Sequence, residues 1–199
     1  FRERASEATL AAVDGKRAEV AAALKLLTEN QLNLFDDEER TCRDEAEAAL
    51  LGAIDRSNRD AMNWADLALG HLDLSFGRPE ASDRLESIWA RPWIGEPRLI
   101  GAADAVEAAI RAGRGEVARA RLTDLQRWTA ETGASWALPL VERCRALVST
   151  DADAERHFQE ALLLHEASGA AFDRARTQLL FGEFLRRARR RTEARTQLR

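Results

Sequence analysis

The sequence predicts an all-α protein whose antiparallel helix pairs are stacked into a superhelical solenoid. Three observations lead to this prediction. Apolar residues recur every three to four positions in one segment after another, with turn signals between the segments. Pro and Gly are scarce, at 4 and 11 in 199 residues, and few runs of Val, Ile, Thr or aromatic residues resemble strands. A small alanine followed four positions later by a large apolar residue recurs along the chain.

Each predicted helix is a segment with helical apolar spacing that ends at a turn signal. The helices are predicted at residues 2–13, 16–29, 38–55, 59–74, 79–89, 98–112, 115–131, 136–148, 152–167, 172–190 and from 192 onward. Acidic residues 36–39 lie where the third helix starts and complement its dipole. Later boundaries are set by turns at 77–79, 113–115, 149–151 and 191–192, and by a Pro-containing linker at 91–97.

The alanine pattern indicates an internal repeat with a period of 35 to 40 residues. Its instances are Ala46, Leu50, Ala53; Ala81, Leu85, Ile88; Ala118, Leu122, Leu125; Ala154, Phe158, Ala161; and Ala194, Leu198. Two helices approach closely only where one side chain is small, and the large residue one turn later fills the adjacent groove. We therefore predict a continuous array over residues 59–199, with its last repeat truncated, after helices of weak repeat character at 1–58.

Composition favours a folded protein without nucleic-acid chemistry of its own. Apolar residues make up 45% of the chain, enough for a sizeable core, and the net charge of -4 argues against a nucleic-acid-binding domain. The isolated cysteines, Cys42 and Cys144, suggest buried thiols rather than a zinc site or disulfides. No apolar run is long enough to cross a bilayer, and the first residues do not resemble a signal peptide. We expect a cytoplasmic protein with no membrane partner.

The charges are distributed unevenly. Acidic residues predominate from 36 to 60, whereas residues 174–199 contain nine arginines against Glu183 and Glu193. The arginine run at 186–191 could bind phosphates or an acidic protein. It has no interleaved aromatic residue and ends a predicted helix, where cations are favourable in any case. A structural or protein-contact role is the favoured interpretation.

The motifs of catalysis are missing from the sequence. No phosphate-binding Gly-x4-Gly-Lys-Ser/Thr loop is present, and His71, His157 and His165 include no pair at metal-ligand spacing. We predict no enzyme activity, no cofactor and no metal; a helical enzyme would need titratable groups that converge in a closed pocket. Five tryptophans occur, and core packing is the simplest role for them. Trp93 is the exception that we single out, because it lies in the predicted linker.

The repeats resemble those of tetratricopeptide proteins. Phe181, Gly182, Leu185, Ala194 and Leu198 fit that consensus, and Trp64, Leu67, Ala68, Ala81 and Leu85 lie within one residue of it. The region from about residue 60 also resembles the helical-repeat region of large ATP-binding transcriptional regulators of the LuxR family, relatives of the maltose regulator. The residues that carry this likeness are Phe158, Ala161, Leu162, His165, Phe172, Ala175, Arg176, Thr177, Gly182, Leu185, the arginine run, Ala194, Arg195 and Leu198, with 77–81, 113–116 and Trp128 upstream.

The resemblance implies a sensor and scaffold segment of a bacterial regulator. In that family an ATPase precedes the repeats and a DNA-binding helix-turn-helix follows them, so ATP and DNA binding would belong only to the full-length protein. The chain would then be a fragment that stops at Arg199 inside a repeat. Expected partners are protein domains or a peptide or small-molecule inducer, and self-association into a homo-oligomer stays open. The alternative is a generic tetratricopeptide-like interaction adaptor unrelated to transcription.

The first helix of each pair in such stacks usually lines the inner groove, and solenoid curvature provides that groove. This geometry selects polar residues on the predicted first helices, together with the linker tryptophan. The predicted lining residues are Asn63, Trp93, Glu107, Arg111, Glu142, Arg143 and Arg176.

Overall fold

The described part of the chain is all-helical. The computed structural model describes residues 36–91, 96–168 and 170–198, and within them it contains ten α-helices and no strand. The helices are α1 (Asp36–Asp55), α2 (Arg59–Ser75), α3 (Glu80–Ala90), α4 (Glu96–Ile100), α5 (Ala102–Arg111), α6 (Gly115–Thr132), α7 (Leu138–Val148), α8 (Asp151–Ser168), α9 (Ala171–Arg187) and α10 (Arg191–Gln197). A 3₁₀-helix, Ser135–Ala137, precedes α7. The predicted all-α class is confirmed.

Most helices begin and end close to their predicted limits, with two corrections. The helix predicted over 98–112 is two helices, α4 and α5, separated at Gly101. A Cβ at Gly101 would lie 2.5 Å from Leu67 Cδ1, so the bare backbone lies against that side chain. The helix predicted over 172–190 ends at Arg187, because Arg189 leaves the helical region of backbone space with a φ of 63°. The helices predicted at 2–13 and 16–29 lie outside the described residues.

Four helix ends share one turn geometry. At each, a residue with positive φ is followed by a residue whose N–H donates to the carbonyl five positions back, which is the Schellman arrangement. The positive-φ residues are Ser57, Gly77, Gly113 and Arg189, and the hydrogen bonds join Asn58 to Ala53, Arg78 to Asp73, Arg114 to Ala109 and Arg190 to Leu185 at 2.8 to 2.9 Å. Glycine adopts positive φ without strain, which explains why the sequence marks only two of the four ends.

The described helices belong to two compact units, of which the first ends at Asp104 and the second begins at Ala105. In the first unit, α1 packs on α2 and α2 packs on α3. One of its apolar clusters is formed by Cys42, Ala46, Ala68, Leu69 and Leu72. In the second unit, α7, α8, α9 and α10 pack in sequence around a cluster of three rings, in which Phe181 stacks on both Phe158 and Phe184. The predicted boundary at residue 58 and the continuous array stay predictions.

The repeated alanines are buried, as expected for residues that permit close helix packing. Ala46, Ala81, Ala118, Ala154 and Ala194 are all at most 3% exposed. Both cysteines are free and buried, as predicted. None of the described helices combines the length and apolar character needed to span a bilayer.

Two glycines that the alanine pattern does not include also lie where a helix comes close to a neighbouring side chain. A Cβ on Gly70 of α2 would lie 2.6 Å from Leu85 Cγ, and one on Gly182 of α9 would lie 2.8 Å from Leu198 Cγ. Each leucine lies four residues after a repeat alanine, Ala81 or Ala194. The same glycine–alanine–leucine arrangement therefore occurs once in each unit.

Candidate functional site

Three of the predicted lining residues, Glu107, Arg111 and Arg176, meet in the second unit. Arg176 of α9 donates from Nε to Glu107 Oε2 at 2.9 Å and from Nη2 to Oε1 at 2.8 Å. Arg111 Nε donates to the same Glu107 Oε1 at 2.7 Å, and its Nη2 reaches Glu183 Oε2 at 3.1 Å. Glu107 is fully buried, whereas Arg111 and Glu183 are partly exposed. These contacts tie α5 to α9.

The network satisfies its buried carboxylate. Two guanidinium groups use both oxygens of Glu107, and such paired, bidentate geometry is what makes a buried charge tolerable. Partial burial disfavours the charged Arg111, but the carboxylates of Glu107 and Glu183 outweigh it and raise its pKa. The network orients its side chains and balances their charges. Its exposed edge is formed by Arg111 and Glu183.

Glu142 and Arg143 are neighbours in the sequence but contact different helices. Glu142 accepts from His157 Nδ1 of α8 at 2.6 Å and from Arg145 Nη1 at 2.5 Å. Arg156 Nη2 lies 3.0 Å from His157 Nε2, and a guanidinium can only donate, so the proton of a neutral His157 is on Nδ1. Arg143 is almost fully buried, with its Nη1 3.4 Å from Asp173 Oδ1 of α9.

His165 of α8 also contacts α9, although the sequence analysis named it only as lacking a partner at metal-ligand spacing. Thr177 donates its hydroxyl proton to the Asp173 carbonyl at 2.9 Å, so its Oγ1 accepts from His165 Nε2 at 3.1 Å. Burial first, and then the charges of Arg143 and Arg174, lower the pKa of His165 from 6.5 to about 4. His165 is therefore neutral at physiological pH, which places one more uncharged donor between α8 and α9.

Asn63 belongs to the first unit. Asn63 is fully buried in the first unit, where its Oδ1 accepts from Arg91 Nη1 at 2.8 Å. The same guanidinium donates from Nη2 to Asp66 at 2.5 Å, and Ser87 donates to that carboxylate at 2.7 Å. Trp93 lies outside the described residues. Whether any of the seven residues lines a binding groove stays a prediction.

A buried carboxylate of the first unit, Asp73, was not predicted from the sequence. Asp73 of α2 is nearly fully buried and accepts from Arg43 Nη2 of α1 at 2.7 Å and from Arg84 Nε of α3 at 3.0 Å. It joins three helices with one side chain. The available signal was its position between Leu72 and Leu74, because an aspartate on a buried helix segment requires a partner.

The pairing of Trp128 with the exposed Trp136 was also not predicted from the sequence. The rings of Trp128 and Trp136 lie edge to face with centroids 5.5 Å apart, and Trp136 is 48% exposed. Trp128 is half-buried, so neither indole is fully packed in the core as predicted. The available signal for Trp136 was its position three residues after Gly133, at the start of the helix predicted over 136–148.

An open groove of about 450 Å³ lies on the second unit. Residues from α8, α9 and α10 line it, and it was not foreseen from the sequence. Its apolar lining is Leu162, Leu163, Phe181 and Leu185, and its acidic lining is Glu155, Glu166 and Glu193. The other side chains that line the groove carry amide or hydroxyl groups. The groove therefore has an apolar base and an acidic edge.

Nothing that resembles a metal centre occurs in the described residues, where no three His, Cys, Asp or Glu side chains are placed to hold an ion. The chain matches no protein-family model, no curated protein and no solved structure. The resemblance to LuxR-family regulators and to tetratricopeptide repeats therefore stays a prediction.

Proposed function

We propose that this chain is a tetratricopeptide-like scaffold, built from antiparallel helix pairs stacked as a superhelical solenoid, that binds other molecules without catalysis. The observation that carries the proposal is the glycine–alanine–leucine arrangement, which occurs as Gly70, Ala81 and Leu85 and again at residues 182, 194 and 198. A helix pair with such a contact cannot bury its remaining apolar surface alone, so it stacks on further pairs. Stacked pairs offer extended surfaces rather than closed pockets.

The repeated turn supports the same proposal. Three of the four Schellman turns precede a buried repeat alanine by four or five residues, at Gly77, Gly113 and Arg189. A common turn gives successive helix pairs a common angle, which a stacked array needs. The charges inside the array are paired between helices, as at Glu107 and Arg176, and this leaves the surface to recognise a partner.

The biological role that we favour is the sensor and scaffold segment of a bacterial, cytoplasmic transcriptional regulator of the LuxR type. Support comes from the sequence resemblance over 60–199 alone. The ligand would be a protein domain, a peptide or a small-molecule inducer, and ATP and DNA would be bound by other parts of a longer protein. The alternative is an interaction adaptor unrelated to transcription, which the same repeats would serve equally well.

The coding sequence on either side of this segment separates the two roles. A phosphate-binding loop upstream together with a helix-turn-helix downstream supports the regulator. Flanks that encode neither contradict it and leave the adaptor.

Ligand binding itself is tested by tryptophan fluorescence with maltodextrins and synthetic peptides. A ligand that binds near the linker or near Trp136 shifts the emission, and the shift disappears in Trp93→Phe or Trp136→Phe respectively. An emission shift that persists in both variants places the ligand elsewhere. No shift in fluorescence or in amide NMR spectra with any of these ligands counts against a sensor.

A further inference from the structure

The groove on the second unit has the length and the walls needed to hold one helix. Residues 155, 159, 162, 163 and 166 of α8 recur at helical spacing and form one wall, while α10 forms the other. Phe181 and Leu185 of α9 form the base. Glu155 and Glu166 are eleven residues apart, which corresponds to about 16 Å along the axis of α8. A helix of three turns has the same length.

The apolar part of the groove includes a side chain that is poorly covered. Leu163 is 61% exposed, although it lies beside the half-buried Leu162 and above the buried Phe181 and Leu185. Covering it would remove apolar surface from water, the usual driving force for docking an amphipathic helix into a groove.

The negative charge at the Glu166 end of the groove favours a basic partner. Every ionisable residue that lines it among the described residues is a glutamate, at positions 155, 166 and 193. The chain already shows how this edge holds a cation: Arg190 donates from Nη1 to Glu155 Oε2 at 2.6 Å and from Nε to Glu193 Oε1 at 2.6 Å. One guanidinium thus bridges the two walls at one end of the groove, and Glu166 carries the negative charge at the other.

We propose that this groove docks a basic amphipathic helix of a partner protein, with aliphatic side chains against Leu162 and Leu163 and a Lys or Arg beside Glu166. The proposal rests on the partner-binding function proposed above and specifies its chemistry. Complementary charge fixes the orientation of the helix and speeds its association, while the aliphatic contacts supply most of the affinity.

The test uses the whole chain and a synthetic amphipathic peptide of about 15 residues, long enough for the three turns of the groove. The peptide has Leu at helical spacing and Lys elsewhere. Two comparison peptides replace Lys by Glu or Leu by Ser. Binding is measured by calorimetry, and its place is found from the amide chemical shifts of the chain.

The expected result is binding by the basic amphipathic peptide alone, with shifts at residues 159–166, 181 and 185. Leu163→Ser should weaken it about tenfold, and Glu166→Gln about threefold. The matched controls are Leu51→Ser, whose leucine is 64% exposed on α1, and Glu131→Gln, which removes an exposed charge on α6. Neither control should change the affinity, and circular dichroism should show all four variants folded.

Several results would overturn the proposal. The proposal is wrong if Leu163→Ser binds the basic peptide as tightly as the parent chain does. It is also wrong if the Glu peptide binds as tightly as the Lys peptide, or if no peptide binds. Self-association that Leu163→Ser abolishes would assign the groove to a second copy of the chain instead. Shifts confined to residues outside the groove would sink this proposal but leave the partner-binding function standing. Absence of shifts with every peptide and with maltodextrins would count against both.

Discussion

The contacts Gly70–Leu85 and Gly182–Leu198 are the same local structure in two different surroundings. In both, a glycine on one helix receives a leucine four residues after a repeat alanine. Leu85 is completely buried, whereas Leu198 is 49% exposed. The repeat pattern therefore sets which residues meet, and the neighbouring structure sets how much the contact contributes to stability.

Truncating the two leucines should reveal the largest difference. Leu85→Ala leaves a cavity in a closed core and should lower the free energy of unfolding by about 2–5 kcal/mol. Leu198→Ala removes a half-exposed side chain and should cost less than about 1 kcal/mol. Urea denaturation followed by circular dichroism measures both. Equal losses would show that burial does not distinguish the two contacts.

The histidines give a second contrast between the units. His71 of the first unit lies 3.0 Å from an Asp104 carboxylate oxygen, while His165 of the second donates to a hydroxyl near two arginines. Burial, together with Arg143 and Arg174, lowers the pKa of His165 from 6.5 to about 4. A histidine with a depressed pKa in the fold stabilises the fold fully above the unfolded pKa, and this contribution is lost as the pH falls from about 6.5 through 4.

The expected loss at His165 is about 3 kcal/mol by pH 4, measured as the free energy of unfolding against pH. His165→Gln keeps an N–H donor for Thr177 but cannot titrate, so its curve should be flatter than that of the parent over this range. The difference between the two curves isolates this histidine from the carboxylates that also titrate there. Parallel curves would mean that His165 keeps its ordinary pKa in the fold.

Replacing the glycine, rather than the leucine, of each contact tests the same comparison. An added methyl group at Gly70 meets the buried Leu85, so Gly70→Ala should cost about 1–3 kcal/mol through overpacking. At Gly182 the exposed Leu198 can rotate away, and the gain in helix propensity of about 1 kcal/mol should leave Gly182→Ala close to neutral. Thermal or urea unfolding of the two variants decides between these outcomes.

A double mutant serves as the control for Gly70. If the methyl group clashes with Leu85, the cost of Gly70→Ala should largely vanish in a Leu85→Ala background, so the two losses should not add. Additive losses would place the strain elsewhere.

The sequence predicted well those features that depend on residues near each other in the chain. Helical spacing located the helices, and the repeat alanines, among them Ala81 and Ala194, are buried as the packing argument requires. Gly101 and Arg189 show where this reasoning fails. At Gly101 the backbone lies against Leu67, which is distant in the sequence, and at Arg189 it adopts a positive φ that arginine does not signal.

The candidate site was harder to predict because it depends on distant pairs. Helix geometry selected Glu107, Arg111 and Arg176 as polar residues, but not that they bind each other across 69 residues of sequence. The groove beside Leu163 is equally a product of three helices. Single-helix periodicity can mark a leucine among glutamates, but it cannot say whether a neighbouring helix covers it.

The turns provide the smallest and most local form of the comparison between the units. Among the four Schellman turns of the described residues, each unit has one with glycine and one with another residue at the positive-φ position, Gly77 and Ser57 in the first and Gly113 and Arg189 in the second. A Cβ at Gly113 would meet nothing within 4 Å, so Gly113→Ala should cost only the backbone strain, about 1 kcal/mol. Arg189→Gly should relieve a similar strain but increases the freedom of the unfolded chain, for a net gain below about 1 kcal/mol. Differential scanning calorimetry of the two variants measures both shifts. Opposite signs of similar size would show that the shared backbone geometry, rather than the side chain, determines the stability of these turns.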